Sequence, residues 1–436
     1  MDTTINTFLE EIHPTLMKWR RTLHKYPELG WTEYITTYRI GKELEQLGFS
    51  LFVGRNALHS AGRMGVPKAE VLQAEEERAR TAGVPENWLD QMQGGHTGLV
   101  AQWDTGKSGH HIALRFDIDA LPIVESSNCT HIPVKQGFHS TYEGNMHACG
   151  HDGHAAIGLG VASFIARFSS KLAGRFTLMF QPAEEGSRGA RAMVEKGWLD
   201  DVDYFFSGHI GIHSLEIGDV AATTDKFFAT TKMNVTFTGA SSHAGVSPHM
   251  GKNAVLAAAT ATVQLHSISR HGEGDTRINV GKIEAGNGRN IIGDFGRIEF
   301  ETRGETTALN EYMVNEAERI IQAIALMYDV NTHIEIVGEG LGATCDSESV
   351  NLVNLACQTS NTIKQIYPVL PLGGSEDVTY MINHVQNRGG IATYLLFGTP
   401  LAENHHHPEF DFNEKALPIA VETYTRMLLT VLKDPK

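Results

Sequence analysis

Cysteine is scarce in this sequence: Cys129, Cys149, Cys345 and Cys357 are the whole complement of 436 residues. Four thiols are too few for a disulfide framework, so the fold must rest on its own apolar core. Three of them are expected to be buried small hydrophobes, while Cys149 differs by having two histidines as neighbours. Long apolar runs are also missing. No stretch approaches the roughly 18 uninterrupted apolar residues of a membrane span. The N-terminus, MDTTINTFLEEIHPTL, has Asp2, Glu10 and Glu11 where a secretory leader would be basic and then apolar. A cytoplasmic protein with no membrane partner is expected. Positive charge is the minority: 36 Lys+Arg face 51 Asp+Glu, for a net charge of −15. With no basic cluster to offset that balance, no nucleic-acid partner is expected. There is no GxSxG elbow, no GxxxxGK[ST] phosphate loop and no HExxH pair. The glycines around 281–288 lack a Rossmann strand–turn–helix setting, and no internal repeat or low-complexity tract is visible.

What is present is an ordinary globular composition, 41% hydrophobic and 20% charged. The length exceeds what one core usually organises, so two domains are expected. Leu9, Ile12, Leu16 and Trp19 recur at helical spacing, and a second helix is read near 36–47. Residues 55–95 are less regular; AEEERARTAG suits a solvated helix in an insertion punctuated by Pro67 and Pro85. HIALRFDID then alternates Ile112, Leu114, Phe116 and Ile118, the pattern of a half-buried strand ending at Leu121-Pro122. HDGHAAIGLGVASFIARF reads as an apolar helix, and GRFTLMFQPAEEG as a strand running into an acidic loop. Alternating strands and helices predict an α/β layer with ligands at the strand ends. Between 223 and 338 the order becomes strand–helix–strand–strand–helix–strand, an inserted α+β unit of ferredoxin-like type. The expected organisation is a discontinuous catalytic domain, 1–222 and 339–436, with a central sheet flanked by helices, interrupted by the 223–338 domain.

Four clusters carry chemistry. In His147-Ala-Cys149-Gly-His151-Asp152-Gly-His154, four possible metal ligands fall within eight residues. Cys149 and His151, two apart, can point to one side of an extended or turning backbone. A thiolate beside an imidazole suits Zn²⁺, with Mn²⁺ as a competitor. Asp152 and His154 are candidates to orient those ligands. Gln181-Pro-Ala-Glu184-Glu185-Gly186 places two carboxylates side by side at a strand end, where they repel unless a cation or proton lies between them. One can ligate while the other moves protons between water and a leaving amine. The third is Gly208-His209-Ile210, with His213 a weaker candidate. In Glu403-Asn-His405-His406-His407-Pro408, one of the three histidines is expected to reach the metal. A cysteine nucleophile would need one base, whereas Cys149 sits among several further ligands.

Taken together, MHACGHDGH, FQPAEEGSRGA, GHIG, SSHAG, GRN, the SED of GGSED and HHPEFDFNE resemble the M20 metallopeptidases. The likeness is strongest to the branch that hydrolyses N-acyl amino acids, and it runs through nearly the whole chain in order. The 55–95 insertion, with MGVP, ERAR and GGHTG, resembles that of the aminobenzoyl-glutamate hydrolases within the branch. The resemblance implies a site for two divalent ions, Zn or Mn, held by Cys149, His151, Glu185, His209 and His406. It picks His406 by its place four residues before Phe410. It implies Glu184 as general base and acid, and Asp117 as an orienting carboxylate beside the ions. It further implies that the inserted domain is a lid and dimerisation domain. His243 of that domain would steady the oxyanion, often across a dimer, and Asn290 with Arg303 would hold a substrate carboxylate. One departure is visible: Ile291-Ile292 precede Gly293 where the family often has proline. The expected substrate is a small N-acyl amino acid with an aromatic acyl group, p-aminobenzoyl-glutamate first. The expected assembly is a homodimer or a heterodimer with a homologous subunit. The rival readings are a broader N-acyl amino-acid or dipeptide hydrolase, a non-catalytic partner of an active homologue, and a structural metal protein. The last would normally close its site with four ligands.

Overall fold

A computed structural model describes residues 2–433. Eight strands form a central sheet in the order Ser50–Val53, Leu99–Asp104, Arg175–Gln181, His111–Asp117, Tyr204–Ile210, Ile391–Phe397, Asp219–Asp225 and Gln365–Pro371. The four consecutive strands from Arg175–Gln181 to Ile391–Phe397 are parallel. Their carboxyl ends therefore open on one side, which is where open α/β sheets bind ligands.

The strand His111–Asp117 is buried along its entire length rather than half-buried as its alternation predicted. The reason is its central position. Ile112, Leu114 and Phe116 join one core with the helices Asp2–His24, His151–Phe168 and Ala416–Val431. Ala113 joins a second core on the opposite face with Met193, Met381 and Ile382. Strands covered on both faces must bury their polar side chains too, so Arg115 and Asp117 are sealed inside with each other as partners.

The helix His151–Phe168 begins where Gly150 turns the chain at φ 91°, a conformation that costs glycine little. It lies hard against the sheet. A methyl group on Gly158 would stand 2.7 Å from both the Phe116 and Phe180 rings, so the absent side chain sets the helix–sheet distance.

The 55–95 segment is more ordered than its sequence suggests. Helices Ala69–Thr81 and Glu86–Met92 bury Leu72, Ala79, Trp88, Leu89 and Met92, and Trp88 meets Tyr38 edge to face at 5.3 Å. These apolar anchors outweigh the charged exterior that dominates the local composition.

A second, four-stranded antiparallel sheet has the order Asn331–Gly340, Ala229–Thr238, Phe295–Gly304, Thr276–Ala285. Helices Ala254–Leu265 and Thr307–Tyr328 cover one face through a separate core that includes Met233, Val235, Phe237 and Ile321. Connectivity and strand order are those of a ferredoxin-like sandwich. Of the three cysteines expected in the interior, Cys345 and Cys357 are buried, but Cys129 is exposed because its loop lies on the surface. Among the described residues no helix is long and apolar enough to cross a membrane.

Candidate active site

Three strand ends and one helix start converge at the carboxyl side of the central sheet. The strand Tyr204–Ile210 delivers His209, whose Nδ1 donates to the Ile210 carbonyl at 2.8 Å, leaving Nε2 aimed at Cys149 Sγ 3.4 Å away. The helix start delivers His151. Its Nδ1 donates to the Asp119 carbonyl at 2.9 Å, leaving Nε2 buried and without a hydrogen-bond partner. The loop after Arg175–Gln181 delivers Glu184 and Glu185. Glu184 Oε2 lies 3.8 Å from His151 Nε2, and Glu185 Oε1 lies 3.5 Å from His406 Nε2.

The ligand atoms of Cys149, His151 and His209 lie within 4.8 Å of one another, as do those of Cys149, Glu185 and His406, and those of His151, Glu184 and Glu185. The overlapping triads fit a pair of cations. Two observations carry that fit: the orphaned, buried His151 Nε2 and Glu185 Oε1, and a sulfur, nitrogen and oxygen donor set suited to Zn²⁺ or Mn²⁺. Nδ1 of His151 and Nδ1 of His209 are each tied to a carbonyl, which fixes the tautomer a ligand needs.

The three adjacent histidines have different surroundings. His406 stands with Cys149 and Glu185 at φ 66°, its amide donating to the Ala148 carbonyl at 2.7 Å. His405 directs Nε2 at the Ile210 carbonyl at 3.0 Å, and His407 Nδ1 accepts from the Glu409 amide. His213 is exposed and bonds the Pro371 carbonyl. Ala183, Gly186 and Ser187 also have positive φ, so the acidic loop is a tightly wound turn. Strain of this kind in non-glycine residues collects where a surrounding structure dictates geometry for function.

Charge is concentrated here in a buried setting. Burial, reinforced by Glu376 and Glu185, holds the Glu184 carboxyl well above its ordinary range. Burial, with His154 and His405, keeps His209 well below the usual imidazole range. Burial opposes ionisation of Asp117, but His151, Arg115 and His154 outweigh it and hold that carboxyl low. The neighbouring Cys149 and Glu185 push His406 up to about 10. These are the shifts of a site with many donors sharing few protons; a divalent cation favours the thiolate and the neutral imidazole instead.

One contributor was not singled out from the sequence, while His154 takes the orienting place expected of it. Asp119 is the hub of the site. Its Oδ1 and Oδ2 accept from the Glu184 and Glu185 amides at 3.1 and 3.0 Å, while its carbonyl holds His151. Its signal was the second aspartate of RFDID. His154 bridges Asp117 Oδ1 at 2.5 Å and the Ile210 amide at 3.0 Å, an orienting position. Asp152 does not join it. That carboxylate turns to Arg20 Nε at 2.8 Å and His24 Nδ1 at 2.9 Å, because the fully buried guanidinium needs an anion.

The inserted sheet places its candidates differently. His243 is exposed on the two-stranded pair Ser242–His243 and Ile291–Ile292, where its Nδ1 accepts from the Gly245 and Val246 amides. Asn290 is exposed beside it, its carbonyl accepting from the Ala244 amide. Arg303 is held by Glu301 at 2.9 and 3.3 Å. Gly293, at the departure from the family pattern, faces Val255: a Cβ there would meet its Cγ2 at 2.6 Å, so packing explains the small residue. Lys232, on the same sheet, donates to Ser187 Oγ at 3.3 Å and faces the acidic loop.

Fold and site together define a hydrolase that acts on amide bonds. Residues 113–430 match the model of peptidase family M20/M25/M40, and the chain belongs to that family. It is 45% identical to one of the subunits of the p-aminobenzoyl-glutamate hydrolase of Escherichia coli (strain K12), covering 98% of each chain. It is 42% identical to the indole-3-acetyl-aspartic acid hydrolase of Enterobacter agglomerans, over 99% of this chain and 98% of the other. A crystal structure of an aminobenzoyl-glutamate utilization protein from Klebsiella pneumoniae superposes with a TM-score of 0.84 at 37% identity, covering 98% of both chains.

Proposed function

We propose that this protein cleaves the amide between an aromatic acyl group and an acidic amino acid, with p-aminobenzoyl-glutamate as the leading substrate. The observation that carries the reading is Glu184, a buried carboxyl with a raised pKa set 3.8 Å from a free His151 nitrogen among metal-type donors. Both named relatives act, by their names, on an aromatic acyl group joined to glutamate or aspartate.

In this reading Cys149, His151, Glu185, His209 and His406 hold two divalent ions, Zn or Mn. When bound, such ions polarise a carbonyl and make water acidic enough to attack at neutral pH. Glu184 takes the proton from the attacking water and returns it to the leaving nitrogen, a double role that a carboxyl tuned upward can fill. Asp117, held by Arg115 and His154, keeps the buried donors in one arrangement. Arg303 and Asn290 bind the substrate carboxylate, and His243 donates from Nε2 to the developing oxyanion.

The last role requires His243, exposed and bonded through Nδ1 to the Gly245 and Val246 amides, to meet the acidic loop. Domain closure or a second chain supplies the meeting, and we favour a dimer, of this chain or with a homologous subunit. The ten-residue edge strand Thr276–Ala285 supports the choice, since a long exposed edge is an open template for pairing. The domain division 1–222, 223–338 and 339–436 and a cytoplasmic setting complete the reading; four free thiols suit a reducing compartment.

The test is a hydrolysis panel on metal-loaded protein, wild type and Glu184→Ala. It compares p-aminobenzoyl-glutamate, indole-3-acetyl-aspartate, hippurate, N-acetyl amino acids and a dipeptide. Aromatic acyl substrates should be preferred and the variant inactive. No turnover by the wild type on any of them with Zn²⁺ or Mn²⁺ removes the self-sufficient enzyme and leaves a partner subunit.

A further inference from the structure

A cavity of about 530 Å³ adjoins the acidic loop, within the usual size of a small-molecule pocket. Glu185 and Gly186 bound it on the side of the candidate active site. Leu121 and Tyr142 bound it from the segment that follows Asp119, and Val71 and Arg78 from the 55–95 insertion. The cavity is thus continuous with the acidic loop and owes one wall to a segment outside the central sheet.

That wall is fixed in place. Arg188 donates from Nε to the Glu185 carbonyl at 2.8 Å and from Nη1 to the Gly65 carbonyl at 3.3 Å, joining the insertion directly to the acidic loop. Gly65, at φ 54°, comes so close to the inserted sheet that a Cβ would lie 2.5 Å from the Val337 carbonyl oxygen. The insertion therefore sits in the corner between the acidic loop and the inserted sheet.

The lining sets apolar Leu29, Val71 and Leu121 beside the charged Glu75, Glu143 and Arg188. Val71 is 47% exposed on a helix that buries Leu72 and Ala79, so its side chain is free to meet a ligand in the cavity. The Arg78 guanidinium lies over the Tyr142 ring at 4.0 Å, giving a flat cation–π pair beside Leu121. An acetyl group would leave most of this volume to water, whereas a flat aryl group can cover Val71 and Leu121 together.

Building on the amidohydrolase reading above, we infer that this cavity is the acyl pocket: the insertion supplies the wall that receives the substrate's aromatic acyl group, with the amide at the acidic loop. The insertion then determines acyl specificity, and the central sheet provides the hydrolytic groups.

Val71→Trp fills the cavity from an exposed helix position, where folding tolerates a large side chain, and Val71→Ala enlarges it. In the full-length, metal-loaded protein, Val71→Trp should lower the kcat/KM ratio of p-aminobenzoyl-glutamate to N-acetyl-glutamate about tenfold or more. Val71→Ala should shift preference toward the bulkier indole-3-acetyl-aspartate. The Kd of p-aminobenzoate, read by calorimetry with and without metal, should rise about tenfold in Val71→Trp. An unchanged ratio together with unchanged p-aminobenzoate affinity overturns the pocket while leaving the hydrolase reading intact. A wild type that hydrolyses none of these substrates defeats the hydrolase reading, and p-aminobenzoate binding that Val71→Trp abolishes would still uphold the pocket.

Discussion

At the carboxyl end of the central sheet, His151, Glu184 and His209 are buried and each is held by a neighbour of defined geometry. In the inserted domain, His243 stands exposed on one of a pair of two-residue strands and Asn290 exposed just before the other, with side-chain and carbonyl bonds to that neighbourhood. The first region is finished within one chain; the second, in the proposed function, acquires its surroundings from another surface. Groups that bind a cation or move a proton must hold their geometry before the substrate arrives, and burial provides that. Groups that grip a substrate must let it in, so exposure in the free protein is the expected condition.

The largest effect should separate chemistry from metal binding inside the buried region. Glu184→Gln keeps the shape and removes the proton carrier, so kcat should fall by about 10²–10⁴-fold. Metal content measured by elemental analysis should remain that of the wild type. Equal loss of metal and activity would make Glu184 a ligand instead and would merge its role with that of Glu185.

A second change probes the same region's frame. Arg20 is fully buried against Asp152 and Asp411, 2.8 and 2.6 Å away, with the Phe412 ring 4.5 Å from its guanidinium carbon. Arg20→Met leaves Asp152 charged and underpaired in the interior. Urea denaturation should show a loss of about 3–5 kcal/mol at an unchanged m-value. A loss below about 1 kcal/mol would equate this cluster with a surface ion pair and undo its description as a frame.

Much of this contrast was legible in the sequence, for identifiable reasons. Cys149, His151, Glu184 and Glu185 declare themselves because ligand-type residues crowd within a few positions, at the boundaries of apolar elements. The ferredoxin-like order of 223–338 was readable from hydrophobic periods of 2 and 3.6 in sequence. Asp119 was hidden because its role is to receive backbone amides of a loop 65 residues away, which no spacing reveals. Asp152 was misassigned for the opposite reason: its neighbour in sequence is His151, but its partner in space is Arg20, 132 residues away. The full burial of His111–Asp117 depended on the sheet order, a tertiary property. His243 could be singled out only through the family resemblance, since an exposed loop histidine has no local pattern of its own.

His243 tests the unfinished region. His243→Ala should lower kcat about 10²–10³-fold, the usual loss for one oxyanion donor, with a smaller change in KM. The comparison sharpens further by mixing. If a partner chain carries this histidine into the site, combining inactive Glu184→Gln and His243→Ala proteins should restore activity toward about a quarter of wild type, through random exchange in a two-fold dimer. No recovery after verified subunit exchange would assign His243 to closure within its own chain, and the second region would then be finished by motion alone.

The smallest effect asks how far the buried region depends on a residue that touches no ion. Asp119→Asn keeps the carbonyl that orients His151 but replaces one of two amide-accepting oxygens with a donor. The Glu184 and Glu185 amides then lose one acceptor between them, and the acidic loop must tilt. Metal affinity, measured by competition with a chelator, should weaken about 10–100-fold, the range for partners that orient ligands. Asp152→Asn, adjacent to His151 in sequence but turned toward Arg20, should weaken it far less while costing stability. The order of these two losses is decisive, because Asp152 adjoins His151 along the chain, whereas Asp119, 32 residues from it, holds the loop that carries Glu184 and Glu185.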